Sequence, residues 1–191
     1  IYTPDEFNFE ERSLAALDYG RLPEQHLIIL NEMEEIPTAL TRELADFLRE
    51  GGSVIVIPST KADIPSYQTL MQTLGGPGLA DAIPSENRIT DIRTEHPLFR
   101  DVFEGAVRDF DYPLVDGYIK LAPGGLPVLS FQNGDPFLLS RGSLFLFSAA
   151  LNEGNSNFMQ SPLVVPTFYN IGRRSLPVAP LYYTIGKPAE L

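Results

Sequence analysis

The chain has 191 residues, of which 43% are hydrophobic, and a formal net charge of -11 with a pI near 4.5. This length supports one sizeable core, and the negative charge argues against a nucleic-acid partner, because binding a polyanion needs clustered basic residues and the 14 present here are scattered. The absence of cysteine excludes disulfides, thiolate metal sites and a cysteine nucleophile.

The first part of the chain predicts a βαβ unit. Residues 10–17 favour a short helix that ends near Gly20. Two apolar runs, 27–30 and 54–57, flank an amphipathic stretch at 38–50. Two parallel strands joined by a crossover helix define an α/β protein.

Local signals support this unit. In the helix, Leu40, Leu44 and Phe47 recur at the spacing of one apolar face, with Thr38 as the predicted N-cap and Gly51 as the left-handed residue after it. The second strand shows no polar alternation, which predicts a central strand that is covered on both faces.

Further helices are predicted along the chain. One covers residues 62–74 and ends at the glycine-rich stretch 75–78, and a short one covers 95–103. Another covers 163–171 and ends at Gly172. The short helix at 95–103 is expected to pack through four apolar residues, namely Leu98, Phe99, Val102 and Phe103.

The second half favours antiparallel strands. They are predicted at 118–121, 127–131, 136–140 and 143–148. Asn133-Gly134 between two of them is the strongest short-range signal for a β-hairpin in the sequence. We therefore predict one domain over residues 1–174, and a linker with the start of a following β region over 175–191.

Three segments together resemble a known family. The stretch FLREGGSVIVIPS after a strand and a helix is similar to the class I glutamine amidotransferase-like fold, in the subset that includes ThuA-like proteins. The later segments HPLFRDVF and PVLSFQNGDPFLLS, followed by GSLFLFSAALNEGNSNFMQSPLVVPTFYNI, resemble the version found in aerotolerance-type, BatA-like bacterial membrane proteins. The resemblance covers roughly residues 25–172.

The resemblance implies a flavodoxin-like three-layer α/β/α sandwich with a mixed, mainly parallel sheet and an antiparallel extension. It also implies a scaffold without glutaminase chemistry, because the turn after the second strand carries Ser59 where amidotransferases place a cysteine. The expected protein is therefore a pseudoenzyme that needs no cofactor.

A serine nucleophile with a histidine base is the catalytic alternative. Ser59 and His96 are the candidates, with Glu95 or Asp101 to orient the ring. Ser59 lacks the small neighbours of a strained nucleophile elbow, so a loop serine that caps the next helix is the competing interpretation. For His96 the competing interpretation is an exposed histidine at a helix start, and His26, at the entry end of its strand, is predicted to be structural.

Polar residues after the predicted strands form the candidate binding site. Asn31, Glu32 and Ser59 follow the first two strands, and Asn155, Ser156 and Asn157 follow the last. These side chains suit a sugar-like or peptide ligand, or else they close their loop through backbone hydrogen bonds. Glu32 with Glu34 and Glu35 is a cluster that could hold a hard cation, or is a solvated loop before a helix, and we predict no metal site. The glycine clusters are interpreted as helix ends rather than phosphate cradles.

These observations predict a non-catalytic module that acts through a protein partner, flanking domains of its own chain or an unidentified small ligand. A degenerate hydrolase or carbohydrate-active domain is the alternative. No apolar run approaches the ~18 residues of a membrane span, so this chain is not expected to insert in a membrane. Its start at Ile1 without methionine favours a piece of a longer protein. The resemblance implies anchoring with this domain on the extracytoplasmic, periplasmic side.

Overall fold

The computed structural model describes residues 6–100, 102 and 111–177. In these ranges the α-helices are α1 (Thr38–Arg49), α2 (Ile64–Leu74) and α3 (Val164–Ser175). The strands are β1 (Leu27–Met33), β2 (Ser53–Pro58), β3 (Leu79–Ile83), β4 (Asn87–Ile92), β5 (Leu114–Val115), β6 (Tyr118–Leu121), β7 (Leu126–Phe131), β8 (Pro136–Arg141) and β9 (Leu144–Phe147). Three short 3-10 helices lie at Leu14–Ala16, Tyr19–Glu24 and Phe158–Gln160.

The main sheet is mixed and has seven strands in the order β1-β2-β9-β8-β7-β4-β5. Strands β1, β2 and β9 are parallel, and each pair from β9 to β5 is antiparallel. The predicted α/β class and the antiparallel extension are confirmed. The Asn133-Gly134 hairpin is also confirmed, since it joins β7 to β8 with Gly134 at φ 86°.

Three layers follow from the alternation of side chains in β2. Every residue of this strand is buried, as predicted for a central position. Val54 and Val56 face the core formed with α1 and α2, whereas Ile55 and Ile57 face the core formed with α3. The sheet is therefore covered on both faces.

A two-stranded ribbon of β3 and β6 lies beside the main sheet. Leu79, Ile119 and Leu121 bury it against the α1 and α2 side of the core. The Ile119 N–H donates to the carbonyl of Ser148, just after β9, at 2.7 Å. This bond fixes the ribbon next to the carboxyl end of the parallel strands, and the sequence patterns did not reveal β3 or this pairing.

Four predicted helices differ from the structure, namely those at 10–17, 62–74, 163–171 and 95–103. The helix at 10–17 is wrong, because only the 3-10 turn Leu14–Ala16 forms there and it buries no residue. α2 begins at Ile64 rather than residue 62, since the Asp63 side chain caps it by accepting from the Ser66 N–H. α3 continues through Gly172 to Ser175, where the extended backbone of Leu176 ends it before a proline.

The segment 95–100 forms consecutive hydrogen-bonded turns instead of the predicted helix. Leu98 and Phe99 are buried as expected, whereas Val102 is 37% exposed. Phe103 and residues 178–191, which hold most of the predicted linker, lie outside the described residues. In the described ranges we find no helix with the length and hydrophobicity to cross a bilayer.

Candidate functional site

A cavity of about 220 Å³ lies where β2 and β9 end, between the sheet and the β3–β6 ribbon. Ligands of open α/β sheets collect at this carboxyl end of the parallel strands. The cavity is lined by Pro58, Ser59, Thr60, Ala62, Ile64, Ala82, Ile83, Pro84, Gly117, Tyr118, Ile119, Ser148, Ala149, Ala150 and Asn155. It is therefore the candidate site.

Ser148 lines this cavity immediately after β9 and is fully buried. Its backbone is satisfied, because the N–H donates to the Phe137 carbonyl at 2.9 Å and the carbonyl accepts from Ile119. Its Oγ has no hydrogen-bond partner among the described residues. Buried hydroxyls without a partner are uncommon, so this oxygen is an unusual feature of the cavity.

The loop at 150–157 forms one side of the site. Asn155 is buried, and its Nδ2 donates to the carbonyls of Gly117 and Ala150, each at 3.0 Å. The Ser156 Oγ donates to the Leu114 carbonyl at 3.0 Å, and the Asn157 Oδ1 accepts from the Leu114 N–H at 2.7 Å. These bonds support the interpretation that Asn and Ser close this loop, with Asn155 alone of the three lining the cavity.

Glu32 fixes this loop to the end of β1. Its Oε1 accepts from the backbone N–H groups of Leu151 and Asn152, each at 2.8 Å, and its Oε2 accepts from Asn152 Nδ2 at 2.6 Å. Glu32 also has a left-handed backbone with φ 52°, at the register shift between Asn31 and Met33. A non-glycine residue in this conformation carries strain, which the three hydrogen bonds offset.

Tyr67 of α2 holds the end of β1 from the side of the sheet that α1 and α2 cover. Its hydroxyl donates to the Met33 carbonyl at 2.6 Å, and burial raises the pKa of Tyr67 to about 12. The nearby Glu32 carboxylate raises this pKa further, while the Ser59 backbone opposes the shift. The phenol is therefore neutral, and it links the end of β1 to the turn after β2.

Ser59 and Asn31 have different surroundings from those predicted. Ser59 lines the cavity, but its Oγ accepts from the Lys61 N–H at 3.1 Å and does not cap α2, whose cap is Asp63. Asn31 lies within β1, which continues to Met33, and is exposed outside the cavity lining. The predicted ligand set is thus only partly brought together.

The structure does not bring His96 to Ser59. His96 is buried, with Nδ1 accepting from the Leu98 N–H at 3.2 Å and Nε2 lying 3.1 Å from Ser140 Oγ. Ser140 pairs with Phe145, and Phe145 pairs with Ile55. Because Ser59 follows Ile55 by four residues, it lies about 13 Å further along the strands. The structure does not form the alternative Ser59–His96 pair, and His96 is buried rather than exposed at a helix start.

His96 predicts a specific pH dependence of stability. Burial, then the positive charges of Arg174 and Arg93, lowers its pKa below the ordinary 6.5. The His96 imidazole of the unfolded chain is therefore protonated at higher pH than that of the folded chain. The contribution of neutral, buried His96 to stability is complete above pH 6.5 and is lost as pH falls below it. We expect urea unfolding between pH 8 and pH 5 to show this loss.

The two histidines of the chain provide a matched comparison. His96→Gln should flatten the pH dependence between about pH 5 and 7. His26→Gln is the control variant, since it removes the other histidine, which is exposed next to β1. Equal slopes in wild type and His96→Gln would contradict the role of His96.

The acidic residues after β1 have separate partners. Glu34 Oε1 lies 3.8 Å from Lys61 Nζ, and both side chains are largely exposed. Glu32 is engaged with the loop at 150–157, as described above. Among the described residues, no group of three His, Asp or Glu side chains is arranged to hold a metal ion.

Ser148, Gly117 and Tyr118 are among the lining residues that the sequence patterns did not assign to the site. Ser148 gave one usable signal, since it is the polar residue that ends the apolar run LFLF. Gly117 and Tyr118 reach the cavity only because β6 pairs with β3 outside the main sheet. No local pattern indicates that pairing.

The fold is a three-layer α/β domain, and its candidate site is the cavity at the carboxyl edge of the parallel strands. Among solved structures, the chain is similar to a putative ThuA-like protein from Bacteroides uniformis, with a TM-score of 0.55 and 15% identity over 80% of this chain and 71% of that one. It is also similar to the mmIFT52 N-terminal domain, with a TM-score of 0.50 and 13% identity over 84% of this chain and 83% of that one.

A β-galactosidase from the psychrophilic Marinomonas ef1 matches with a TM-score of 0.53 and 10% identity over 78% of this chain. The chain spans only 20% of the length of that enzyme. At these identities the likeness shows the fold alone, which this chain shares with that putative ThuA-like protein. No protein-family model matches the sequence, and neither does any curated protein.

Proposed function

We propose that this chain is a non-catalytic binding module built on a ThuA-like, amidotransferase-like scaffold. One observation supports the proposal most strongly: the polar groups at the carboxyl edge hold the protein's own backbone. The Glu32 carboxylate, the Asn155 amide and the Ser59 hydroxyl each bond to main-chain atoms. Such groups position a site, but they are not free to move protons for a substrate.

The separation of Ser59 from His96 also supports this function over a hydrolase. A serine nucleophile needs a base within hydrogen-bond reach. His96 is instead engaged with Ser140 of β8, away from the end of β2 where Ser59 lies. The chain covers only a fifth of the length of the β-galactosidase, so this likeness supports the fold and does not support a glycosidase activity.

We further propose that the module belongs to a membrane-anchored bacterial protein and binds a protein partner on the extracytoplasmic side. The support is the sequence resemblance to BatA-like proteins. Fractionation of cells that express the complete gene product tests the anchoring, and pull-down with that product tests the partner. Recovery of the complete product in the soluble cytoplasmic fraction would contradict this placement.

The non-catalytic role predicts the result of a turnover assay. Incubation of the chain with glutamine or with p-nitrophenyl acetate should give no release of product above the rate with Ser59→Ala. The reason is that Ser59 Oγ accepts a hydrogen bond from the Lys61 N–H, while His96, the candidate base, is engaged with Ser140. Turnover that Ser59→Ala abolishes, with folding unchanged by circular dichroism, would refute the proposal.

A further inference from the structure

We infer that the cavity at the ends of β2 and β9 binds a small uncharged molecule that has an apolar body and one hydroxyl or amide group. This inference rests on the proposed function, since it specifies the ligand of the binding module. It is drawn from three properties of the cavity: the chemistry of its lining, one buried hydroxyl and its size.

The lining excludes a charged ligand. None of the residues that line the cavity is Asp, Glu, Lys, Arg or His, and most are Ala, Ile or Pro. Moving an ion into such surroundings without an opposite charge is strongly unfavourable. An anion would also face the net charge of -11 on the chain. Binding of an apolar ligand to the same surface is favourable, because it removes the hydrocarbon of both the ligand and the cavity from water.

Ser148 favours a polar group on the ligand. Its Oγ is buried without a partner among the described residues, at a position that lines the cavity. A hydroxyl can donate one hydrogen bond and accept others, so it suits a ligand hydroxyl or amide. Binding then satisfies a group that is costly in the free protein.

Asn155 sets the polarity of the second contact. Both hydrogens of its Nδ2 are used, for the carbonyls of Gly117 and Ala150. Its Oδ1 is the remaining polar atom of the side chain, and it is an acceptor. A ligand that donates a hydrogen bond therefore fits this side of the cavity better than one that only accepts.

The size of the cavity favours a ligand of roughly one ring. The cavity volume of about 220 Å³ is below the ~300–1,000 Å³ of pockets that hold drug-sized ligands. Benzyl alcohol combines an apolar ring with a single hydroxyl and is therefore the probe. Benzoate has the same ring with a charge, and galactose has a similar size with hydroxyls in place of the apolar body.

The experiment is a two-dimensional NMR titration of the intact chain with each of the three probes. Benzyl alcohol should shift the backbone amides of Gly117, Ser148 and Asn155, whereas benzoate and galactose should bind at least about tenfold more weakly, a difference of ~1.4 kcal/mol. Benzoate binding as well as benzyl alcohol would overturn the uncharged class. Galactose binding more tightly would overturn the apolar body.

Two variants locate the binding. Ala82 is exposed and lines the cavity, so Ala82→Phe should block the benzyl alcohol shifts. Ala80→Phe is the matched control, since Ala80 is exposed on the same strand and is not a lining residue. Ser148→Ala should weaken benzyl alcohol about 3- to 10-fold while Tm stays constant or rises by up to about 4 °C, because an unpartnered buried hydroxyl is removed.

The outcomes separate this inference from the proposed function. Benzyl alcohol shifts that persist in Ala82→Phe, an unchanged affinity in Ser148→Ala, or no shift of the three amides at saturation would each overturn the cavity assignment. Those results would leave a module that binds through another surface. Product formation in the turnover assay would instead refute the non-catalytic role, whether or not the cavity binds benzyl alcohol.

Discussion

Glu32→Ala is expected to lower the free energy of unfolding by about 2–4 kcal/mol, because hydrogen bonds to a charged group contribute ~1.5–3 kcal/mol each and do not add fully. The substitution removes the acceptor of two backbone N–H groups and of the Asn152 amide. Leu151 is only 4% exposed, so its N–H would lose its partner in a place that water reaches poorly. Urea unfolding monitored by circular dichroism measures the change.

A second substitution at this position separates the contribution of the Glu32 carboxylate to stability from the strain of its left-handed backbone. Glycine adopts the left-handed φ of 52° without strain, whereas alanine does not. Glu32→Gly should therefore be less destabilising than Glu32→Ala by about 1 kcal/mol. Glu34→Ala is the control for lost acidity, and it should change stability by less than about 0.5 kcal/mol, since Glu34 forms an exposed ion pair. A cost for Glu34→Ala equal to that of Glu32→Ala would contradict the proposed role of Glu32.

This result bears on the site because Glu32 holds the loop that lines the cavity. Asn152 donates its backbone N–H to the Glu32 carboxylate, and the Asn155 and Ser156 N–H groups donate to the Asn152 carbonyl at 3.0 and 2.9 Å. Loss of Glu32 therefore releases the segment that positions Asn155. The residue was predicted as a direct ligand contact, and its observed partners indicate that it positions the loop instead.

The parts of the fold that the sequence predicted are those fixed by local patterns. β2 is recognisable because its run of apolar residues has no polar alternation, and α1 because its apolar stripe ends at a glycine with positive φ. The Asn133-Gly134 turn is similarly local, since the backbone of the turn itself favours these residues. Such features need no knowledge of distant contacts.

Features that depend on distant partners were not predictable. β3 has the sequence LADAI, whose alanines and aspartate have low strand propensity, and it is a strand because it pairs with β6 some forty residues later. His96 was expected to be exposed, and its burial depends on Ser140 of β8, 44 positions away. A 3-10 turn forms at Leu14–Ala16 instead of the predicted helix, because none of its residues is buried against the core.

The site was predicted in position but not in role. The rule that ligands gather at the carboxyl ends of parallel strands brought Glu32, Ser59 and Asn155 to one edge, and the structure places Ser59 and Asn155 in the cavity lining. Hydrogen-bond partners decide whether such a group is free, and those partners come from tertiary contacts. Ser148 is the opposite case, because only the folded structure leaves its Oγ without a partner.

Tyr67→Phe should destabilise the protein by about 1–3 kcal/mol at neutral pH, because it leaves the Met33 carbonyl without its donor in a buried environment. Tyr67 is fully buried, and its hydroxyl lies 2.6 Å from that carbonyl. The wild-type protein should also lose stability at high pH. Since the pKa of Tyr67 is about 12 in the folded chain and 10.0 ordinarily, the unfolded chain releases this proton first, and stability falls as pH rises from 10 towards 12. Urea unfolding across this pH range should show a loss that is smaller in Tyr67→Phe, with Tyr19→Phe as the control that removes another phenol.

Glu32 and Tyr67 should also be energetically coupled, since they act on the two sides of one strand end. Tyr67 holds the Met33 carbonyl, and Glu32 precedes Met33 at the register shift of β1. When either contact is removed, the end of β1 is released and the other contact holds it less well. The double variant Glu32→Ala with Tyr67→Phe should therefore be less destabilised than the sum of the single variants by at least about 0.5 kcal/mol. Strict additivity would mean that the two contacts stabilise the end of β1 independently of each other.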